Sequence, residues 1–159
     1  MGVQERRVRE KQELRQEILD AARELFITEG FENVSMRKIA EKIEYSATTI
    51  YLHFQDKADL LDCVCEETLQ KLENRLSAIR ETAPDPLERL RQGLRAYIDF
   101  GLEYPNDYRV AFLLEFKPFA EAERCPRCRT KGQQVFDHVR DAVDECMQSG
   151  TFGPQEVET

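Results

Sequence analysis

An all-α fold is predicted for this chain by three observations. Apolar residues recur three and four apart in segment after segment, alternating β-branched residues are nearly absent, and the seven Gly and six Pro fall mostly between the periodic stretches. A hydrophobic content of 41% supplies a core and excludes global disorder. The 159 residues suit one ordinary domain, or a small module fused to a somewhat larger one.

Taken in order, residues 1 to about 12 are polar and of mixed charge, and a mobile arm running into a helix is expected there. Leu14, Ile18, Ala22, Leu25 and Phe26 then mark a first helix, which Gly30 stops by offering a left-handed backbone. Ser35 caps a short second helix with Ile39, Ala40 and Ile43 inward. A turn at Glu44 and Tyr45 leads to Ser46, the cap of a third helix that faces Ala47, Ile50 and Phe54 inward. Asp56 caps a fourth, carrying Leu60, Leu61, Val64, Leu69, Leu72 and Leu76. Pro84 and Pro86 end that helix and start the next, in which Leu87, Leu90, Leu94, Tyr97, Ile98 and Leu102 keep helical spacing up to Tyr104-Pro105. Tyr108, Phe112 and Phe116 lie on a further helix that ends before Pro118. After a polar loop, Val135, Val139, Val143 and Met147 form a last amphipathic helix.

The net charge of −8 argues at first against nucleic acid. A binding footprint, however, depends on local charge rather than the total. From Met1 to Arg15 the bases Arg6, Arg7, Arg9, Lys11 and Arg15 outnumber Glu5, Glu10 and Glu13. From Ser35 to Lys57 the bases Arg37, Lys38, Lys42 and Lys57 face only Glu41, Glu44 and Asp56. The acid excess lies downstream. No apolar run is long enough to span a bilayer, the N-terminus is not signal-like, and five cysteines are an odd number for a disulfide framework. A cytoplasmic protein is expected.

Within the basic surroundings of Ser35–Lys57, the stretch from Tyr45 to Phe54 has no Asp, Glu, Lys or Arg. Ala40 is the small residue two steeply crossed helices need where their backbones meet. The outward positions of the third helix are then Thr48, Thr49, Tyr51, Leu52 and His53. An acid there would repel phosphates, whereas hydroxyls and a methyl-bearing side chain suit groove edges. The helix N-terminus adds free N–H groups and partial positive charge. Lys57, directly after the Asp56 cap, sets a cation against the positive end of a helix dipole at a cost of some tenths of a kcal/mol, roughly, which a bound phosphate would offset. A solvated surface lysine, an ordinary exposed helix at Thr48 and Thr49, and a hydrogen-bonded surface histidine are the plainer readings.

The stretch ILDAARELFITEGFENVSMRKIAEKIEYSATTIYLHFQDKADLL resembles the N-terminal DNA-binding domain of the TetR (tetracycline-repressor-like) family of transcriptional regulators. The likeness runs from about Arg15 to Leu61. It includes Gly30-Phe31, the Met36-Arg37-Lys38-Ile39-Ala40 run and Ile50-Tyr51-x-His53-Phe54-x-x-Lys57. It implies a three-helix helix-turn-helix domain over residues 1–58, followed by a helical effector-binding and dimerisation domain over 59–159. It further implies a homodimer on a double-stranded DNA operator, most often a repressor released by a small-molecule effector, with no cofactor and no catalysis. By resemblance Ala47, Thr48, Thr49, Tyr51 and His53 lie on the recognition helix, with Ser46 at its start. Tyr51 and Lys57 then meet phosphates, and Arg37 the backbone or a base. One departure is Glu44, where the family usually has Gly because the turn needs a left-handed backbone.

Beyond Leu61 the resemblance is to architecture alone. Tyr97, Phe100, Tyr104, Tyr108, Phe112, Phe116 and Phe119 crowd two successive helices, either as plain core or, for the first six, as the lining of a pocket for an apolar or aromatic effector. Arg109 or His138 would be its polar anchors. Cys125-Pro-Arg-Cys128 supplies only two zinc ligands where a structural site wants four, and its flanking arginines would favour thiolates. Inert loop cysteines are the expected reading. A redox- or metal-responsive regulator using Cys125 and Cys128, and a helix-turn-helix interaction module without operator binding, are the alternatives. Nothing resembles a nucleophile–base pair, a Gly-rich phosphate loop or a metal-ligand cluster. After Ser149-Gly150, TFGPQEVET reads as the opening of another helix, so the second domain is expected to be C-terminally truncated by two helices. That would leave Val135, Val139, Val143 and Met147 sticky and dimerisation weak.

Overall fold

The computed structural model of the chain describes residues 2–113 and 126–152. These are helical, with no strand among the described residues. In order they are α1 (Val3–Glu29), a 3-10 turn (Phe31–Asn33), α2 (Met36–Lys42), α3 (Ala47–Tyr51), α4 (Lys57–Thr82), α5 (Pro86–Glu103), α6 (Pro105–Tyr108) with a π-helical turn (Arg109–Leu113), and α7 (Pro126–Gln148). Two compact units form: Met1–Cys65 with Asn106–Glu115, and Glu66–Pro105 with Phe116–Thr159. The division expected at 58/59 thus falls after Cys65, inside α4. The short segment around α6 joins the first unit because Asp107 pairs with Arg23 of α1, both buried.

The first unit packs α1, α2, α3 and the start of α4 around Ile18, Leu19, Phe26, Ile39, Ile50 and Phe54, each no more than 2% exposed. Burial of such side chains stabilises by about 1.5–3 kcal/mol apiece relative to exposure. The expected arm is instead the first turns of α1. Gly2 N–H donates to Glu5 Oε2 at 2.8 Å, and exposed pairs Arg6–Glu10 (3.3 Å) and Arg9–Glu13 (3.5 Å) sit four apart along it. Each such pair adds only about 0.2–0.5 kcal/mol, but they act together on an already nucleated helix. At the other end Gly30 adopts φ +82°, although its ψ of 148° is extended rather than helical.

The caps read from the sequence hold. Ser35 accepts from Lys38 N–H, Ser46 from Thr49 N–H and Asp56 from Asp59 N–H; Asp85, which the sequence reading passed over, accepts from Glu88 N–H. Between α2 and α3 the backbone turns through a Schellman arrangement. Tyr45 N–H donates to Ala40 C=O at 2.9 Å and Glu44 N–H to Glu41 C=O at 3.3 Å. Glu44 is the left-handed residue this closure demands, at φ +60°.

The second unit packs the rest of α4 with α5 and α7 around Leu69, Leu72, Leu76, Phe100, Ala142 and Cys146. Arg89 staples it: its guanidinium donates to the carbonyls of Ala83 and Pro84 and pairs with Glu145 at 2.7 Å. Of the face of α7 expected to be sticky, Val135 is buried and Val139 and Val143 are half-buried, so α4 and α5 cover most of it; Met147 is exposed, as is Phe136. Leu87, Leu94, Ile98 and Leu102 of α5 are exposed as well. The segment after Phe152 and residues 114–125, with Phe116, Phe119 and Cys125, lie outside the described residues, as does the side chain of Cys128.

Glu44→Gly should stabilise the first unit, since glycine meets φ +60° without the 1–2 kcal/mol that roughly separates an L side chain from it there. A higher urea midpoint at unchanged slope is the expected reading. An unchanged midpoint would mean that the turn relaxes to suit glutamate.

Candidate nucleic-acid interface

Helix α3 is only five residues long, yet it displays a row of uncharged side chains. Ile50 on it and Phe54 just beyond are buried, which turns Thr48, Tyr51 and Leu52 outward. Tyr51 is 55% exposed and Leu52 75%, unusual for side chains of this size, and neighbouring Tyr45 is exposed too. Ala47, Thr49 and His53 are half-buried. The Thr49 hydroxyl lies 2.8 Å from Ser46 Oγ, so the cap engages it, while Thr48 keeps an exposed hydroxyl. Of the two threonines, Thr48 is therefore the better placed to meet a partner. Leu52 is outward as the sequence reading had it, and Tyr45 is the surface residue that reading lacked. Its signal in the sequence was the same uncharged run.

Burial, with the charges of Lys11 and Arg15 adding to it, pulls the His53 imidazole below its ordinary pKa. Arg15 lies 4.4 Å over the Phe54 ring, and this fixes α1 against the residues that follow α3. Arg37 is highly exposed and pairs only along its own helix, with Glu41 at 3.0 Å.

Lys57 has a partner that its sequence position does not reveal. Its ammonium donates to Phe31 C=O at 2.6 Å and lies 4.2 Å over the Phe31 ring. Those contacts offset the unfavourable dipole without any phosphate, and they tie the start of α4 to the 3-10 turn. The half-buried ammonium still stands at the N-terminus of α4, on the unit that carries α3.

The aromatic residues expected to line an effector pocket do not share one cavity within a unit. Tyr97, Phe100 and Tyr104 belong to the second unit, Tyr108 and Phe112 to the first, and Phe116 lies outside the described residues. Phe100 is fully buried core. The second unit holds a small cavity of about 20 Å³ among Leu76, Leu90, Gly93, His138 and Val139 instead. Beside it a polar cleft of about 350 Å³ is lined by Glu73, Ser77, Arg80, Asp137 and His138. There Ser77 donates to Glu73 at 2.7 Å, and His138 Nε2 stands 3.6 Å from the same carboxylate. The Ser77 hydrogen bond is the main cause holding the Glu73 carboxyl below its usual pKa. Arg109 is exposed on the first unit. Among the described residues no three His, Cys, Asp or Glu converge to hold a metal, and Cys63, Cys65 and Cys146 are buried thiols. No helix among them is long and apolar enough to cross a membrane.

Comparison with known proteins bears on this geometry. The family model of bacterial regulatory proteins of the tetR family matches residues 18–64. The transcriptional activator FasR of Mycolicibacterium smegmatis is 29% identical over 133 residues, which are 84% of this chain and 60% of FasR. A helix-turn-helix transcriptional regulator of Staphylococcus aureus is 32% identical over 91 residues, 57% of this chain and 49% of that protein. The chain thus spans about half to three-fifths of the length of these curated relatives. In fold it is similar to PfmR of Thermus thermophilus, with a TM-score of 0.75 at 23% identity over 88% of this chain and 75% of PfmR. It is similar also to AibR, at 0.75 and 23% over 89% and 76%, whose crystal structure holds isovaleryl coenzyme A and operator DNA. The matched residues are the ones that build α1 to α4 and set α3 on the surface, so residues 18–64 carry the likeness to bacterial regulatory proteins of the tetR family.

Proposed function

We propose that the chain is a sequence-specific DNA-binding regulator of transcription that seats α3 in the major groove of a double-stranded operator. The observation that carries this is the exposed, uncharged row Thr48, Tyr51 and Leu52 on a helix capped by Ser46, on a unit whose exposed cations include Arg37. Thr48 and Leu52 supply a hydroxyl and methyl groups for base edges. Tyr51, Arg37, Lys57 and the N–H groups at the start of α3 supply phosphate contacts. Ala47 lets the helix approach closely, and Thr49 and Ser46 hold its first turn. The relatives are named as regulators, so the role proposed is binding rather than catalysis, in the cytoplasm.

The second unit is the effector unit in this reading. AibR, whose fold this chain shares, was solved with both an acyl-coenzyme A and operator DNA, which supports one DNA-binding and one ligand-binding unit in a single chain. A small apolar or aromatic molecule entering between Leu76, Leu90 and Val139 would have to widen a cavity that has room for about one water. Binding would therefore favour a different packing of α4, α5 and α7, and the regulator would be a repressor released by population shift. FasR, named as an activator, favours the opposite sign of control. A reporter placed behind a selected operator reads which one applies. A two-fold operator calls for a homodimer, since two linked half-sites gain what one lacks.

A salt titration on duplex DNA tests the reading: a steep fall of affinity with salt is expected, and a flat line would refute it. Lys57→Met, which keeps an apolar stem over Phe31, should lower the slope by about 1 and weaken all sequences alike. An unchanged slope would leave Lys57 as a purely structural tether.

Thr48→Ala should instead alter sequence preference, by a share of the roughly 1–3 kcal/mol that a good base contact carries. Binding-site selection on both proteins checks it, and identical selected motifs would move Thr48 off the bases.

His53 is held below its ordinary pKa of about 6.5 in the free chain. A nearby phosphate would raise that value, so binding should take up a proton and strengthen as pH falls through the bound pKa towards the free one. His53→Gln should flatten this dependence. A pH-independent wild type would place His53 away from the phosphates.

A further inference from the structure

On one face of α1, the row that buries Ile18 and Ala22 continues upstream, at spacings of three and four residues, through Arg15, Lys11 and Arg7. Downstream, that face rests on the core of the first unit. Upstream, Lys11 and Arg7 are exposed and nothing apolar replaces them. Arg15 is the hinge of the pattern. Its guanidinium lies over the Phe54 ring, Nη2 donates to Cys63 Sγ at 3.4 Å, and Nη1 is buried without a hydrogen-bond partner.

The neighbouring acids are committed elsewhere. Glu10 is taken by Arg6 and Glu13 by Arg9, and Glu5 caps the helix start. Among the described residues neither Arg7 nor Lys11 has an ion pair. Two like charges four apart cost an isolated helix about 0.2–0.5 kcal/mol. Arg15, 4.4 Å over the Phe54 ring, sets the row beside the residues that follow α3; burial first, then the charges of Lys11 and Arg15, disfavour the proton of neighbouring His53.

We infer that the first turns of α1 are a second DNA-contacting ridge, in which Arg7 and Lys11, aligned by the anchored Arg15, bind backbone phosphates flanking the half-site that α3 reads. The inference rests on the DNA-binding reading above. The row from Arg7 to Arg15 rises about 12 Å, with each duplex strand offering a phosphate roughly every 3.4 Å along the axis. Being phosphate contacts, these cations add affinity and salt dependence but no sequence preference. The acidic remainder of the chain keeps the ridge from binding anions indiscriminately at long range.

The test compares two double variants of the full chain on a mixed-sequence DNA duplex over a range of salt concentrations. Arg7→Ala with Lys11→Ala should lower the log–log salt slope by about 2. Its helix content by circular dichroism should stay the same or rise, because alanine favours helix and the like-charge pair is gone. Arg6→Ala with Arg9→Ala removes the same net charge from the paired positions and should change the slope far less. An unchanged slope for the first variant, or an equal fall in both, overturns the ridge while leaving the wild type a DNA binder. A wild type with no salt-dependent binding overturns the functional reading itself.

Discussion

A helix of five residues cannot hold its own shape in water, because nucleation fixes several dihedral angles before a single hydrogen bond is gained. Everything that α3 displays is therefore set by what grips it. Ile50 and Phe54 are sunk in the core shared by α1, α2 and α4, and Ser46 satisfies the first turn. The Schellman closure at Glu44 and Tyr45 fixes the angle at which the chain enters. With those points pinned, the side chains between them have no choice of direction. Exposure of Tyr51 and Leu52 is the necessary complement of burying Ile50 and Phe54.

The charges around α3 divide by whether another part of the fold has claimed them. Lys38 is taken by Glu29, Lys42 by Glu24 and Lys57 by Phe31, and each of these contacts ties an element of the helix-turn-helix to α1 or its exit turn. Arg37, paired only along its own helix at the surface, holds nothing in place. Exposed pairs of that kind contribute between nothing and about 1 kcal/mol, so a phosphate exchanges with the glutamate at little cost. A net charge of −8 therefore does not exclude a local surface for anions, since exposed cations such as Arg37 remain beside α3.

What could be read in the sequence was whatever depends on neighbours within four residues. Ser35, Ser46 and Asp56 cap helices because a short side chain meets an N–H group three positions on. Glu44 could be placed in the left-handed region because the family pattern and the turn both demand it. The partner of Lys57 is 26 residues away, and no local pattern announces it. The aromatic run from Tyr97 to Phe112 looked like one lining, yet helix phase sinks Phe100 in the second unit while the chain carries Tyr108 and Phe112 into the first. Spacing also shows that Leu94, Ile98 and Leu102 share a face of α5, but not that the face stays exposed. Helicity at the N-terminus was missed because polar composition resembles a loose arm, whereas ion pairs four apart serve a helix.

The Arg23–Asp107 pair shows why the first unit is not simply the helix-turn-helix. Arg23 is 9% exposed and Asp107 8%, and Arg23 reaches Asp107 at 3.4 Å and Asp20 at 2.6 Å. Burying such charges is expensive, so the pair contributes little net stability while intact. Losing Asp107 would still leave Arg23 its Asp20 partner, whereas losing Arg23 would remove the cation that faces the buried Asp107 carboxylate. The arrangement therefore acts less as glue than as a tie that sets α6 against α1. The helix so tied is the one whose buried row aligns Arg15 against Phe54 and so steadies the end of α3.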